Sequence, residues 1–142
     1  GYLIINGNEK VLITQEKVVP NIIHLYPSPN NNTKYKFISE VKSSSPIAFG
    51  VVKTCSIRLT NKSIIYDRKL YIKFPRIKKD LPISIIFRAL GCLTDKEILY
   101  YIIDNDGSEI DNLLIKMLNK TLCENENIYT SMDSISYISN HI

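Results

Sequence analysis

At Pro82 the spacing of apolar residues changes, and that change does most to limit what this chain can fold into. Before it, Cys55, Ile57 and Leu59, and again Leu70, Ile72 and Phe74, recur at every second position, the repeat of a strand with one face turned inward. After it, Ile83, Ile86, Phe87 and Leu90 recur at helical spacing, with Pro82 suited to a first helical turn and Gly91 to closing the helix. Strands therefore precede helices instead of alternating with them, which predicts an α+β fold with a β-rich first half packed against a helical second half.

The β half opens with two apolar runs, Tyr2 to Ile5 and Val11 to Ile13, around Asn6-Gly7. Both turn residues tolerate positive φ, so a β-hairpin is expected, with Gly7 as its structural glycine. Its arms are almost continuously apolar, the pattern of strands covered on both faces. Pro27-Ser28-Pro29-Asn30-Asn31-Asn32 is too rich in breakers for a strand or core helix and predicts a loop and a subdomain boundary. Extended segments are expected over Tyr35 to Val41, Val51 to Leu59 and Ser63 to Phe74. In the helical half, Thr94 and Glu97 have capping-box spacing ahead of Ile98, Leu99, Ile102 and Ile103. Asp104 to Gly107 should end that helix, because its glycine and its twelfth residue, Ile115, do not fit a calcium loop. Leu113, Leu114, Met117 and Leu118 mark a third helix, and Ser131 or Asp133 is the expected cap of a last one carrying Ile135 and Ile138.

Of the 142 residues, 44% are hydrophobic, enough for one ordinary soluble domain. Lys, Arg, Asp or Asn interrupts every apolar run before it reaches membrane-spanning length. Cys55, Cys92 and Cys123 are odd in number and widely spaced, which fits reduced structural thiols in a reducing compartment better than a disulfide framework or a zinc knuckle. The three Asn-x-Ser/Thr matches read as accidents of an Asn-rich chain. Charge is polarised: residues 1 to 89 hold 15 Lys and Arg against 5 Asp and Glu, and residues 90 to 142 hold 3 against 9. Such a split suits one face to a polyanion and another to solvent or a basic partner.

Two blocks carry a resemblance. Gly1-Tyr2-Leu3-Ile4-Ile5-Asn6-Gly7-Asn8-Glu9-Lys10-Val11-Leu12-Ile13-Thr14-Gln15-Glu16-Lys17 resembles the "GYFIINGSEKVLIAQER" segment of the second-largest subunit of multisubunit DNA-directed RNA polymerases. Pro75-Arg76-Ile77-Lys78-Lys79-Asp80-Leu81-Pro82-Ile83-Ser84-Ile85-Ile86-Phe87-Arg88-Ala89-Leu90-Gly91 is similar to "PYIKQDIPIVIIFRALG" of the same family, and Asp95 to Leu99 to its "DGEILEH". The resemblance implies an internal piece of that subunit, in keeping with a start at Gly1 without Met. Residues 1–30 would be a protrusion-type hairpin and connecting strand, and residues 31–142 the lobe beside the downstream DNA channel. It also implies a role inside a nucleotidyltransferase without catalysis by this piece, because the family draws its catalytic aspartates from the largest subunit. No cofactor is expected here; Mg and Zn would be bound elsewhere in the whole enzyme. The implied partners are DNA, as downstream duplex or hybrid, and the other polymerase subunits, above all the largest. The implied location is intracellular, the nucleus, or the cytoplasm or virion for a viral enzyme.

Candidate contacts to nucleic acid are Lys73, Arg76, Lys78 and Lys79, the densest basic run, and Gln15 and Lys17 after the first strands. Each cation can neutralise a phosphate without reading sequence, while a solvated face or structural hydrogen bonding explains them as simply. Lys17 stands where the family usually has Arg, which would turn a bidentate contact into a single-point one. Arg88, inside an apolar helix, is read as structural, paired with a carboxylate or with backbone carbonyls. Tyr66 and Tyr71, flanking Arg68 and Lys69, suit strand packing more than base stacking. His24 and His141 have no acid–base partner implied by spacing. The rival reading is a free-standing basic adaptor that binds nucleic acid or an acidic protein.

Overall fold

The computed structural model describes residues 1–29, 34–45, 50–103, 109–125 and 127–142, and for Tyr66 and Asn125 the backbone alone. The turn expected over Asp104 to Gly107 lies outside them. Among the described residues seven strands precede four helices, so the α+β expectation holds.

Strands β1 (Leu3–Ile5) and β2 (Asn8–Lys10) form an antiparallel hairpin, with Ile5 opposite Asn8. Asn6 and Gly7, at φ 52° and 77°, make the two-residue turn whose twist matches that of paired strands. The second arm is the polar Asn8–Lys10; Val11 to Ile13 lie beyond the pairing. The expected burial of both faces is not found. Ile4 is 68% exposed and Ile13 87%, since no layer of the described chain lies against the hairpin.

A five-stranded antiparallel sheet follows, in chain order, from β3 (Ile23–Pro27), β4 (Tyr35–Ser43), β5 (Lys53–Thr60), β6 (Leu70–Lys73) and β7 (Leu81–Pro82). Strand β3 pairs along its whole length with β4, Ile23 opposite Val41 and Pro27 opposite Phe37. A division at residue 30 would cut neither strand but would assign to different units two strands that satisfy each other's backbone groups. The extended segment expected over Ser63 to Phe74 is broken by a 3-10 turn at Ile65–Asp67, and only Leu70–Lys73 joins the sheet.

Helix α1 (Ile83–Ala89) leaves β7 directly. Pro82 precedes the helix at ψ 139°, still extended because it pairs with Tyr71. Leu90 is the C-cap and Gly91, at φ +106°, takes the left-handed position after it. The buried stripe of α1 differs from the expected one: Ser84, Ile85 and Arg88 face inward, whereas Leu90 is 77% exposed. Helix α1 also meets α4 (Ser131–Ser139), whose own fully buried residue is Ser134. Helix α2 (Asp95–Ile102) carries the expected reciprocal cap, Glu97 N donating to Thr94 Oγ1 and Thr94 N to Glu97 Oε2. Helix α3 (Glu109–Leu122) buries Leu118, Thr121 and Leu122 and ties to the sheet through Leu70 N, which donates to Thr121 Oγ1. The cap of α4 is Thr130, one residue before the expected Ser131. Its hydroxyl accepts from Asp133 N. The core lies where the β6–β7 end of the sheet meets the helices, around Ile72, Leu81, Ile85, Ile98 and Leu118.

Candidate nucleic-acid interface

Lys73 ends β6, and Arg76, Lys78 and Lys79 occupy the connection from β6 to β7; all four are exposed. The connection is shaped. Pro75 occupies the second place of a turn closed by Ile77 N donating to Phe74 O at 3.4 Å, and Arg76 the third, at φ 72°. A proline followed by positive φ is the type II pattern, whose third place normally favours glycine. Lys78 N donates to His141 O at 3.3 Å, so the loop is also anchored on the residues after α4.

The register gathers further cations at this end of the sheet. Lys73 lies opposite Ser56, Lys53 opposite Ser43 and Lys42 opposite Thr54, which brings the end of β4, the start of β5 and the end of β6 together. Lys17 joins them, lining one shallow cavity with Val18, Pro20, Lys42, Ser44 and Thr54. Asn21 makes that approach possible. At φ 63°, its amide N donates to Lys42 O, its Nδ2 to Ser44 O, and its Oδ1 accepts from Ser44 N. Gln15 is exposed on the irregular segment before it and is not brought to the cavity by any of these bonds. Lys42 has a long contact to Glu40, 3.8 Å, which is weak at an exposed site.

Sequence reasoning missed Lys42, Lys53 and Asn21. The two lysines are isolated in sequence, and only strand register places them at the same end of the sheet as Lys73. An asparagine after a proline was a usable sign for Asn21, since Asn enters the left-handed region more readily than most residues.

Several neighbouring polar groups on the sheet are paired with one another, although Arg58 Nε and His24 Nε2 are buried without a hydrogen-bond partner among the described residues. Tyr35 donates to Asp80 Oδ2 at 2.5 Å, Arg58 Nη1 lies 3.4 Å from Asp80 Oδ1, and the Arg58 guanidinium sits over the Tyr35 ring. Burial, reinforced by the Asp80 carboxylate, pushes the Tyr35 phenol up to about 12. Tyr71 donates to both oxygens of Glu124, and burial followed by that bond holds its pKa above the ordinary tyrosine value. Tyr71 is thus a packing residue here. Tyr26 donates to Glu40 across the β3–β4 pair, and this bond raises its pKa. Arg88 is 2% exposed, with Nη2 2.9 Å from Asp95 Oδ1 and Nη1 donating to Ile128 O at 2.6 Å. His141 stacks on Tyr137, and its Nδ1 lies 3.0 Å from Tyr137 O. Cys55, Cys92 and Cys123 are free thiols, and burial raises the pKa of Cys55. No helix among the described residues is long and apolar enough to cross a membrane.

The sequence profile of "RNA polymerase Rpb2, domain 2" matches residues 19–142. The chain belongs to that family. Its similarity to curated Rpb2-type subunits runs across eukaryotes and archaea. It is 40% identical over 106 residues to DNA-directed RNA polymerase II subunit RPB2 of Eremothecium gossypii, an alignment covering 72% of this chain and 8% of the relative. It is 33% identical over 142 residues to DNA-directed RNA polymerase II subunit 2 of Arabidopsis thaliana, 97% of this chain and 12% of the relative. To DNA-directed RNA polymerase subunit Rpo2N of Methanocaldococcus jannaschii it is 32% identical over 142 residues, 100% of this chain and 26% of the relative. The chain therefore spans about a tenth to a quarter of the length of these Rpb2-type relatives.

Proposed function

We propose that this chain is a non-catalytic part of the second-largest subunit of a DNA-directed RNA polymerase, a lobe with a protrusion-type hairpin, which lines the DNA cleft and holds downstream duplex or hybrid electrostatically. Its role in DNA-templated RNA synthesis is grip and scaffolding. The nucleotidyl transfer, with its Mg, and the Zn of the whole enzyme belong to other parts. The observation that carries this reading is the basic end of the sheet, where Lys17, Lys42, Lys53, Lys73, Arg76, Lys78 and Lys79 come from four separate stretches of chain. Cations spread in this way neutralise phosphates without selecting a sequence, which is what a processive enzyme needs of its walls.

The exposed apolar side chains of the hairpin, from Leu3 to Ile13, support contact with further parts of the same assembly, the largest subunit among them. The division between protrusion and lobe then falls before β3, in the segment ending at Asn21. The long curated relatives favour this reading over a free-standing adaptor. They also favour an intracellular, in eukaryotes nuclear, setting.

The test is the salt dependence of duplex DNA binding by the assembled polymerase carrying Lys78→Ala and Lys79→Ala. For every phosphate that these lysines neutralise, the double variant should flatten the slope of log affinity against log salt by about 0.9. An unchanged slope sinks the proposed interaction.

A further inference from the structure

The opposite end of the same sheet carries a second cationic site, unrelated to the loop after β6. Lys34, at the start of β4, Lys62, after β5, and Lys69, before β6, line one cavity with Thr60, Asn61 and Tyr71. Three lysines from three stretches of chain border one cavity, and because like charges repel, their gathering there needs a cause.

The backbone supplies it. Asn61 N donates to Lys34 O at 2.8 Å, Arg68 Nε to Lys62 O at 3.0 Å, Thr60 N to Lys69 O at 3.0 Å, and Lys69 N to Thr60 Oγ1 at 2.8 Å. Each lysine is thus fixed through its own main chain. The Lys34 ammonium is held 5.4 Å from the Tyr35 ring centroid and 5.5 Å from that of Tyr71, an attraction to the ring faces that leaves the charge unneutralised.

The carboxylates nearby do not balance the set. Glu124 accepts from Lys69 Nζ at 3.1 Å and is shared with Tyr71. Asp80 is taken by Arg58 and Tyr35, and Asp67 by Lys120 at 3.3 Å. Among the described residues neither Lys34 nor Lys62 has a carboxylate partner. The cavity therefore keeps an excess of two positive charges, those of Lys34 and Lys62.

We infer that this corner is a phosphate-binding site, taking either a backbone phosphate of nucleic acid or a free polyphosphate. Ammonium groups held apart by fixed backbones suit an anion with several oxygens better than a single carboxylate. The site does not require the loop from Lys73 to Asp80 to touch DNA.

The experiment uses the full-length subunit in its assembled polymerase and so rests on the assembly proposed above. Failure of that assembly appears separately, as loss of the other subunits on purification. Amide hydrogen exchange is followed in peptides spanning residues 58–71, with inorganic tripolyphosphate or a mixed-sequence DNA duplex as probe. Protection by both probes assigns a free phosphate ligand, and protection by the duplex alone assigns a nucleic-acid backbone; either supports the site. Lys34→Gln with Lys62→Gln should raise the half-protecting probe concentration about tenfold, the size expected for two partly exposed charge interactions. The double Arg variant should keep protection. No protection by either probe, unchanged protection in the Gln variant, or equal loss in the Gln and Arg variants would overturn the inference.

Discussion

Arg88 and Asp95 meet at 2.9 Å although their side chains have opposite surroundings, 3% exposed for the arginine and 54% for the aspartate. The pair joins the end of α1 to the first residue of α2, and the second arm of the guanidinium reaches Ile128 O. Removing the arginine leaves a carbonyl without its donor and a void inside the helical layer. Removing the aspartate leaves a buried cation that still holds one acceptor. Asp95→Ala, which leaves the buried guanidinium without its carboxylate, is expected to destabilise by about 3–5 kcal/mol, and Arg88→Ala, which leaves an exposed carboxylate and one carbonyl without its donor, by about 1–3 kcal/mol. Denaturant midpoints of the two variants check the order; equal destabilisation would contradict it.

Arg76 separates stability from binding. Its φ of 72° occupies a turn position that glycine fills without strain, so Arg76→Gly should leave the fold unchanged or stabilise it by up to about 1 kcal/mol. The same change removes one cation from the basic end of the sheet. Thermal unfolding should show no loss while DNA affinity falls at low salt. A fall in both would mean that the side chain holds the loop.

Thr130, not Ser131, caps α4. Thr130→Ala should cost about 1 kcal/mol, because Asp133 N loses its acceptor at the first turn. Ser131→Ala removes only a 3.3 Å bond to Ala89 O and should cost less. Hydrogen exchange at the start of α4 distinguishes the two.

Alkali should weaken the sheet through Tyr35. Its folded pKa, about 12, lies above the ordinary value of 10.0, so folding favours the protonated phenol. That contribution is complete below the unfolded pKa and disappears as pH rises from about 10 through about 12. Tyr71 is shifted in the same direction. Phenolate absorbance should show late-titrating tyrosines whose ionisation coincides with unfolding, and Tyr35→Phe should remove part of the late signal. Tyrosine titration at ordinary values in the folded protein would rule this out.

Local patterns in the sequence determined the order of elements. Asn6-Gly7 needs two positive φ values, Thr94 and Glu97 complete each other's hydrogen bonds within one turn, and Gly91 ends α1 because it meets no steric penalty there. Each is a short-range preference that no distant residue has to ratify. The two motif blocks made the family legible for the same reason, as unbroken local strings.

Tertiary structure decided what periodicity could not. Arg88, not Leu90, lies on the buried face of α1, where Asp95 and Ile128 O supply partners for its guanidinium. Only the pairing of the strands brought Lys42 and Lys53 to the same end of the sheet as Lys73, and Lys34 and Lys62 to one cavity with Lys69. A strand's own sequence states which residues share a face; it does not state which residue of another strand lies opposite. That pairing is settled by the whole sheet, and both cationic sites depend on it.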